Sequence, residues 1–312
     1  MTIMKKLLTT ILAFAALGCG MLSAQAVQYS LDLAPFTTVE VSGPFEVSLV
    51  RGQQYRALIS VLEPFKDYVV CSVSGGVLSI DLDERKVPME VRRQFRGKGT
   101  PDPVYSAIVY VPDLIQAVNL SGKAVLRDTE DLFDKSRTVF TLNDQASVKS
   151  LYLSSLIFQL EMRGKSTADL TVSCRQTFVN VFGSSSLIMD EQTAESEYTL
   201  AGSAKARVKS KTTAFSVVAK ANSSMTLVGT GDGANYELSG TSEIDASLFE
   251  VSDADVRMTS VTRLSVAAAN VLKVNLNGGS TLQFSGEPSV CIDNIRSASM
   301  TRIQGRNEKS TL

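Results

Sequence analysis

The chain has 312 residues, 44% of them hydrophobic and 20% charged, with 31 Lys and Arg against 32 Asp and Glu. This is globular rather than disordered composition, and a net charge of −1 carries no basic excess pointing to nucleic acid. The absence of His removes Ser-His-Asp triads, Cys-His dyads, His-ligated zinc and H-E-x-x-H proteases.

Residues 1–26 read as an export signal. Lys5 and Lys6 precede an apolar run from Leu7 to Leu17, and Ala24-Gln25-Ala26 supplies the small residues that a signal peptidase reads. The run is shorter than the ~20 residues of a membrane span. Leu17-Gly18-Cys19 partly matches a lipoprotein box, so lipid anchoring at Cys19 is the alternative, although Ala16 and Leu17 depart from that box. Removing the signal takes away two Lys and leaves a charge of −1 − 2 = −3. Cys71, Cys174 and Cys291 remain, far apart and with no C-x-x-C spacing, and read as small buried thiols rather than a disulfide framework or a metal site. No later apolar stretch reaches the ~18 residues of a transmembrane helix.

Residues 27–117 are strand-like but irregular. Val39, Val41, Phe45, Val47 and Leu49 alternate around Ser42-Gly43. Val69–Val73 and Val77–Leu82 flank Gly75-Gly76 and predict a hairpin. The polar stretch Asp83–Pro103 predicts a long exposed loop, and Ala107–Val111 a strand ended by Pro112. This third is expected to cap the first coil of a repeat region that begins at Val118, with an independent small β domain as the alternative.

Residues 118–312 repeat. A turn position falls at Gly122, Asp144, Gly164, Gly183, Gly202, Ala221, Gly240, Ser260, Gly278 and Ala298, at gaps of 18 to 22 residues. Two residues before each turn stand Leu120, Leu142, Met162, Val181, Leu200, Ala219, Leu238, Met258 and Leu276. Two residues after it comes a small residue, from Ala124 to Ser280, and apolar columns lie four residues to either side. The last copy places Asn294, Arg296 and Arg302 in apolar columns, as a polar terminal cap would. Period-2 alternation is a strand with one buried face, and a single copy cannot bury that face without neighbours. The expected fold is therefore all-β: a parallel β-helix or β-solenoid of about ten coils, rising ~4.8 Å per coil, with a less regular N-terminal third.

Several short segments together carry a family resemblance. FTTVEVSG (36–43), FEVSLVRG (45–52), GVLSI (76–80), VYVPDL (109–114), LSG (120–122), VNLNGGS (274–280) and FSGEP (284–288) resemble, in order and spacing, the DUF2807 family, the auto-transporter adhesin head (GIN) domain of Bacteroidetes. The resemblance implies an exported β-helical protein with no established enzyme activity. The chain departs from the family pattern where Asn143-Asp144 and Ala219-Lys220-Ala221 replace Ser-Gly, which predicts looser corners there. The expectation is also of a chain without a C-terminal translocator barrel.

Parallel β-helices often carry polysaccharide lyases and hydrolases, whose sites need acids converging across neighbouring coils. The column five residues after each turn should face outward, and it holds no recurring paired carboxylates. Asp128, Glu130, Asp131 and Asp134 cluster within one loop, and Asp190-Glu191 and Asp253/Asp255 read as solvated loop acids. The sequence therefore reads as non-catalytic, with no catalytic or metal-binding residues and no cofactor. Its candidate ligand-binding residues are Lys205, Arg207, Lys209 and Lys211, which alternate with Ala204, Ala206 and Val208 and so share one strand face. They suit an anionic surface glycan or an envelope protein. The expected role is a binding or adhesion module in the periplasm, on the outer-membrane surface or outside the cell. A self-assembling envelope scaffold is the alternative, with a polysaccharide-degrading enzyme behind it.

Overall fold

A computed structural model of the chain describes residues 26–83, 85–94 and 105–304. Residues 1–25 of the export signal, Cys19 among them, and part of the 83–103 stretch lie outside the described residues. The N-terminal elements are β1 (Ala26–Asp32), β2 (Thr38–Val41), β3 (Phe45–Arg51), β4 (Arg56–Leu62), a 3₁₀ segment (Glu63–Tyr68), β5 (Val69–Ser74), β6 (Val77–Leu82), the short helix α1 (Met89–Gln94) and β7 (Tyr105–Val111). The repeats continue as β8 (Ala117–Leu120), β9 (Val125–Leu126), β10 (Arg137–Leu142), β11 (Ser147–Met162), β12 (Thr167–Gly183), β13 (Ser186–Gln192), β14 (Glu195–Gly202) and β15 (Lys205–Ala219). The chain then runs through β16 (Ser224–Leu238), β17 (Glu243–Met258), β18 (Arg263–Asn277), β19 (Thr281–Ser285), β20 (Ser289–Arg296) and β21 (Ser299–Arg302).

These strands wind a parallel β-solenoid of about ten turns. Each coil contributes one stretch before the tight turn and one after it, and each stretch pairs in parallel with its counterpart one coil away. Before the turn, Phe140 lies on Val118 and Leu160, Val179 on Tyr198, and Tyr236 on Val256. After it, Leu187 lies between Ala168 and Ala206, and Ile244 on Met225. The inward columns of the repeat are buried from Val118 to Leu282. Burying a Val or Leu side chain is worth ~1.5–3 kcal/mol, so repetition over nine coils supplies the driving force that one coil lacks.

The N-terminal strands join the same two stacks, out of sequence order. The β2–Gly43–β3 coil inserts between β6/β7 and β8/β9: β2 pairs in parallel with both β6 and β8, and β3 with both β7 and β9. Beyond them the chain runs antiparallel, with β5 on β6, β4 on β7 and β1 on β4. The β5–β6 hairpin turns on Gly75 and Gly76, both at positive φ, as the Gly-Gly pair predicts. The 3₁₀ segment crosses from one stack to the other with Phe65 buried. Within the expected loop the chain instead forms α1 and buries Val87.

The tight turn is held by close backbone contact. A Cβ on Gly183 would stand 2.7 Å from the Gly164 carbonyl oxygen, and one on Gly240 2.8 Å from that of Ala221. The corners at Asp144 and Ala221 are not looser than the rest, contrary to the sequence expectation. Their φ values, 60° and 59°, match those of the glycine corners, and so does 67° at Ser260. Each of these three residues has a glycine in the coils directly before and after it: Gly122 and Gly164, Gly202 and Gly240, Gly240 and Gly278. A turn with a side chain is accommodated because its neighbours have none. Asp144 adds a bond of its own, its carboxylate accepting from the Gly122 N–H at 3.1 Å.

The last coil departs from the sequence alignment. Val274 lies on Ile292, but Asn275 lies on Asn294, so one extra residue bulges out of β20. The positive-φ residue is Ser297, not Ala298. Leu276 then lies on Ile295 and Leu282 on Met300, while Arg302 lies on Phe284. Three inward columns end in Ile292, Ile295 and Met300, because the bulge moves Asn294 and Arg296 out of them, while Arg302 stays in the column of Phe284 as the sequence expects.

Gly240→Ala would put side chains on three successive turns, Ala221, residue 240 and Ser260. We expect it to destabilise by ~1–3 kcal/mol and by more than Gly183→Ala, whose neighbours are both glycines. Chemical denaturation of the two variants checks this; equal losses would remove the neighbour argument.

Candidate ligand-binding face

The first half of β15 carries Lys205, Arg207, Lys209 and Lys211 outward, while Ala206, Val208, Ser210 and Thr212 point inward and are buried. At ~3.3 Å per residue the cations stand ~6.6 Å apart along the strand. The row below is Ser186, Ile188, Asp190 and Gln192, and the row above is Ser224, Thr226, Val228 and Thr230. Lys209 Nζ meets Asp190 Oδ2 at 2.8 Å, and this bond raises the Lys209 pKa. Among the described residues Lys205, Arg207 and Lys211 have no ion pair. The next acids on this face, Asp169 on one side and Glu243, Asp245 and Glu250 on the other, are two coils away in register, roughly 10 Å. The sheet thus presents a narrow cationic row edged by hydroxyls. Exposed Ile188 lies directly beside Arg207.

The acids flagged in the sequence do not converge. Arg127 pairs with Glu46 at 3.1 Å and with Asp128 at 3.3 Å, and Lys135 with Asp131 at 2.6 Å. Glu130 accepts from the Arg51 N–H at 3.2 Å. Asp134 accepts from the Ser136 and Arg137 N–H groups, which lower its pKa. Asp253 and Asp255 lie on β17 rather than in a loop, and Asp255 pairs with Arg257 at 3.4 Å.

Glu191 corrects the sequence reading outright. It lies on β13 and points inward, 2% exposed, between Val172 and Ser210 in its column. Ser196 Oγ and Ser210 Oγ donate to its Oε1 at 2.7 and 2.9 Å. Burial raises its pKa, and the hydroxyls of Ser196, Ser210, Tyr198 and Thr177 partly offset that. Cys174 sits at the same corner, its Sγ 2.9 Å from Thr177 Oγ1. Alternation alone predicts that Glu191 faces inward, since Asp190 and Gln192 on either side face out; the polar residue type masked the signal. The cysteines differ from expectation too. Cys71 and Cys174 are half-buried, with the Cys71 thiol pushed up to about 11 by burial, but Cys291 is exposed on β20.

A second polar ladder was not legible in the sequence. At the corner opposite the glycines, Thr193 Oγ1 donates to the Arg175 or Glu195 carbonyl and Thr212 Oγ1 to that of Ala194 or Ala214. These hydroxyls tie each corner to the coil before it. Thr193 and Thr212 stand one repeat of 19 residues apart, but a hydroxyl does not by its type mark a position as inward.

With this geometry in place, the comparisons define the class. A family model described as "Putative auto-transporter adhesin, head GIN domain" (DUF2807) matches residues 35–288. The chain belongs to that family. Among solved structures, a "putative adhesin" from Parabacteroides merdae ATCC 43184 is similar at 14% identity and a TM-score of 0.52, over 90% of this chain and 98% of that one. A "Putative lipid binding protein" from Parabacteroides distasonis ATCC 8503 aligns over the same shares at 17% identity and a TM-score of 0.45. A "putative adhesin" from that organism gives 15% and 0.44, again over 90% and 98%. At these identities the likeness concerns the fold. No protein with a curated description matches the chain. Among the described residues no helix is long and apolar enough to cross a membrane.

Because burial raises the Glu191 pKa above its unfolded value, the native state holds a proton that the unfolded chain has released. Its contribution to stability is therefore complete below pH ~4.3 and is lost as pH rises through the native pKa. Glu191→Gln should melt higher than the wild type at pH 7–8 and equal it near pH 4. Parallel melting curves across that range would contradict the assignment.

Proposed function

We propose that this protein is an exported, non-catalytic β-solenoid that serves as a binding or adhesion module at the cell envelope, and that it holds anionic polymer along Lys205, Arg207, Lys209 and Lys211. The observation that carries the reading is the row itself: four outward cations at fixed pitch on a sheet whose backbone is paired on both sides, with Lys209 alone of the four neutralised by a described acid. Cations fixed at a regular spacing match a linear acidic glycan or a phosphate-bearing surface polymer, and the flanking Ser186, Ser224, Thr226 and Thr230 hydroxyls can bond its sugar oxygens. Membership of an adhesin family supports binding over catalysis. So do Asp131, Asp134 and Asp255, each engaged by a near neighbour rather than paired across a cleft. Periplasm, outer-membrane surface and extracellular space all suit this role. A self-assembling scaffold is the second reading, favoured by the exposed aliphatic residues Val290, Ile292 and Ile295 at the C-terminal end of the solenoid.

Replacing the four cations with Gln should abolish retention on an immobilised acidic polysaccharide while leaving the melting temperature within a few degrees, because all four side chains are already in water. Asp190→Asn should strengthen retention by freeing Lys209, and raising salt should weaken binding of both proteins. Unchanged retention by the Gln variant would overturn the proposal. Separately, the N-terminus of the exported protein should be Val27 by mass spectrometry; a lipidated Cys19 would replace free export with anchoring.

A further inference from the structure

The two ends of the solenoid differ. At the N-terminal end, antiparallel β1 and β5 form the edges, and the 3₁₀ segment passes between the stacks with Phe65 packed 5.6 Å from Tyr105. That end is closed. At the C-terminal end, β20 pairs with β18 and β21 with β19, and no other described strand pairs with either. Among the described residues the inward columns end there. Leu272, Val274 and Leu276 are fully buried, while Val290, Ile292 and Ile295, which lie on them one coil further, are 39%, 59% and 40% exposed. Two unpaired strand edges with bare aliphatic columns between them invite further β pairing.

The geometry points to a second copy of this chain as the occupant, joined C-terminal end to C-terminal end about a two-fold axis. A single extended peptide could satisfy one edge and would leave the other, along with the apolar columns, uncovered. The closed N-terminal end of another copy offers no matching pair of parallel edges. The same end of another copy carries two edges at the same separation. A two-fold axis reverses strand direction, so β20 would lie antiparallel to its copy, an isologous contact. Opposed residues in antiparallel strands share a face, so inward Val290 must meet an inward residue of the other copy. Setting it against Ile292 brings Cys291 opposite Cys291. The joint would complete the apolar columns.

Sedimentation velocity on residues 27–312, from 1 to 200 µM, tests this. The expected result is a dimer in the wild type and a monomer, still folded by circular dichroism, in Ile292→Lys/Ile295→Lys. In a Cys71→Ser/Cys174→Ser background, a short bis-maleimide should give a cross-linked dimer that disappears in Cys291→Ser. A wild type monomeric across the range and not cross-linked would overturn the inference. So would a dimer that survives both lysines. A wild-type monomer that dimerises when cut after Gln304 would assign the end to the chain's own last residues and would also overturn it.

Discussion

The structure depends on one constraint: successive coils must stack at the spacing of paired strands, ~4.8 Å, at every point of their circuit. The tight corner is where that is hardest, because backbone rests on backbone there. A Cβ on Gly164, Gly183, Gly202 or Gly240 would fall within 2.9 Å of the corner below. Among the described residues, non-glycine residues enter this column at Asp144, Ala221 and Ser260, each between glycines, and at Ser297 in the last coil. The small buried residues just past the turn, Ser166, Ser185, Ser223 and Ser242 among them, serve the same closeness. Once the corners stack, the register of both strand stretches is set, and so is the sealing of the aliphatic columns.

That register also organises the surface. A residue's outward neighbours are fixed one coil away on each side, so side chains far apart in sequence form straight rows and columns. The basic row belongs to one strand, whereas the hydroxyls and acids that frame it come from the coils before and after. Local charge pairing on β15 is therefore decided across coils: Asp190 neutralises Lys209, while the partners of Arg207 are Ile188 and Thr226. A rigid flat sheet with fixed pitch suits recognition of a repeating polymer better than enclosure of a small substrate.

Much of this was legible in the sequence because the period is written twice, in the spacing of turns and in the alternation around them. Leu120, Leu142, Met162 and their successors could be placed inside from alternation alone, as could the outward placement of Lys205 to Lys211. The rest was hidden for definite reasons. The β2–β3 coil is displaced in space from its place in sequence, which no local pattern records. At β20 an extra residue before the turn and one fewer after it cancel in coil length, so the repeat looks regular while Ile292 and Ile295 exchange places with polar neighbours. Glu191 was misread because residue type was weighed above alternation. The corner hydroxyls of Thr193 and Thr212 act through carbonyls of the adjacent coil, a relation visible only after stacking.

The central claim is in-register stacking, and electron–electron distances between spin labels test it most directly. Labels at Thr167 and Thr281, six coils apart in one outward column, should be separated by ~29 Å plus a constant label contribution. Moving the second label to Arg263 and then Glu243 should shorten that distance by ~4.8 Å each time. Steps that are unequal, or a distance that does not change with coil number, would contradict the account.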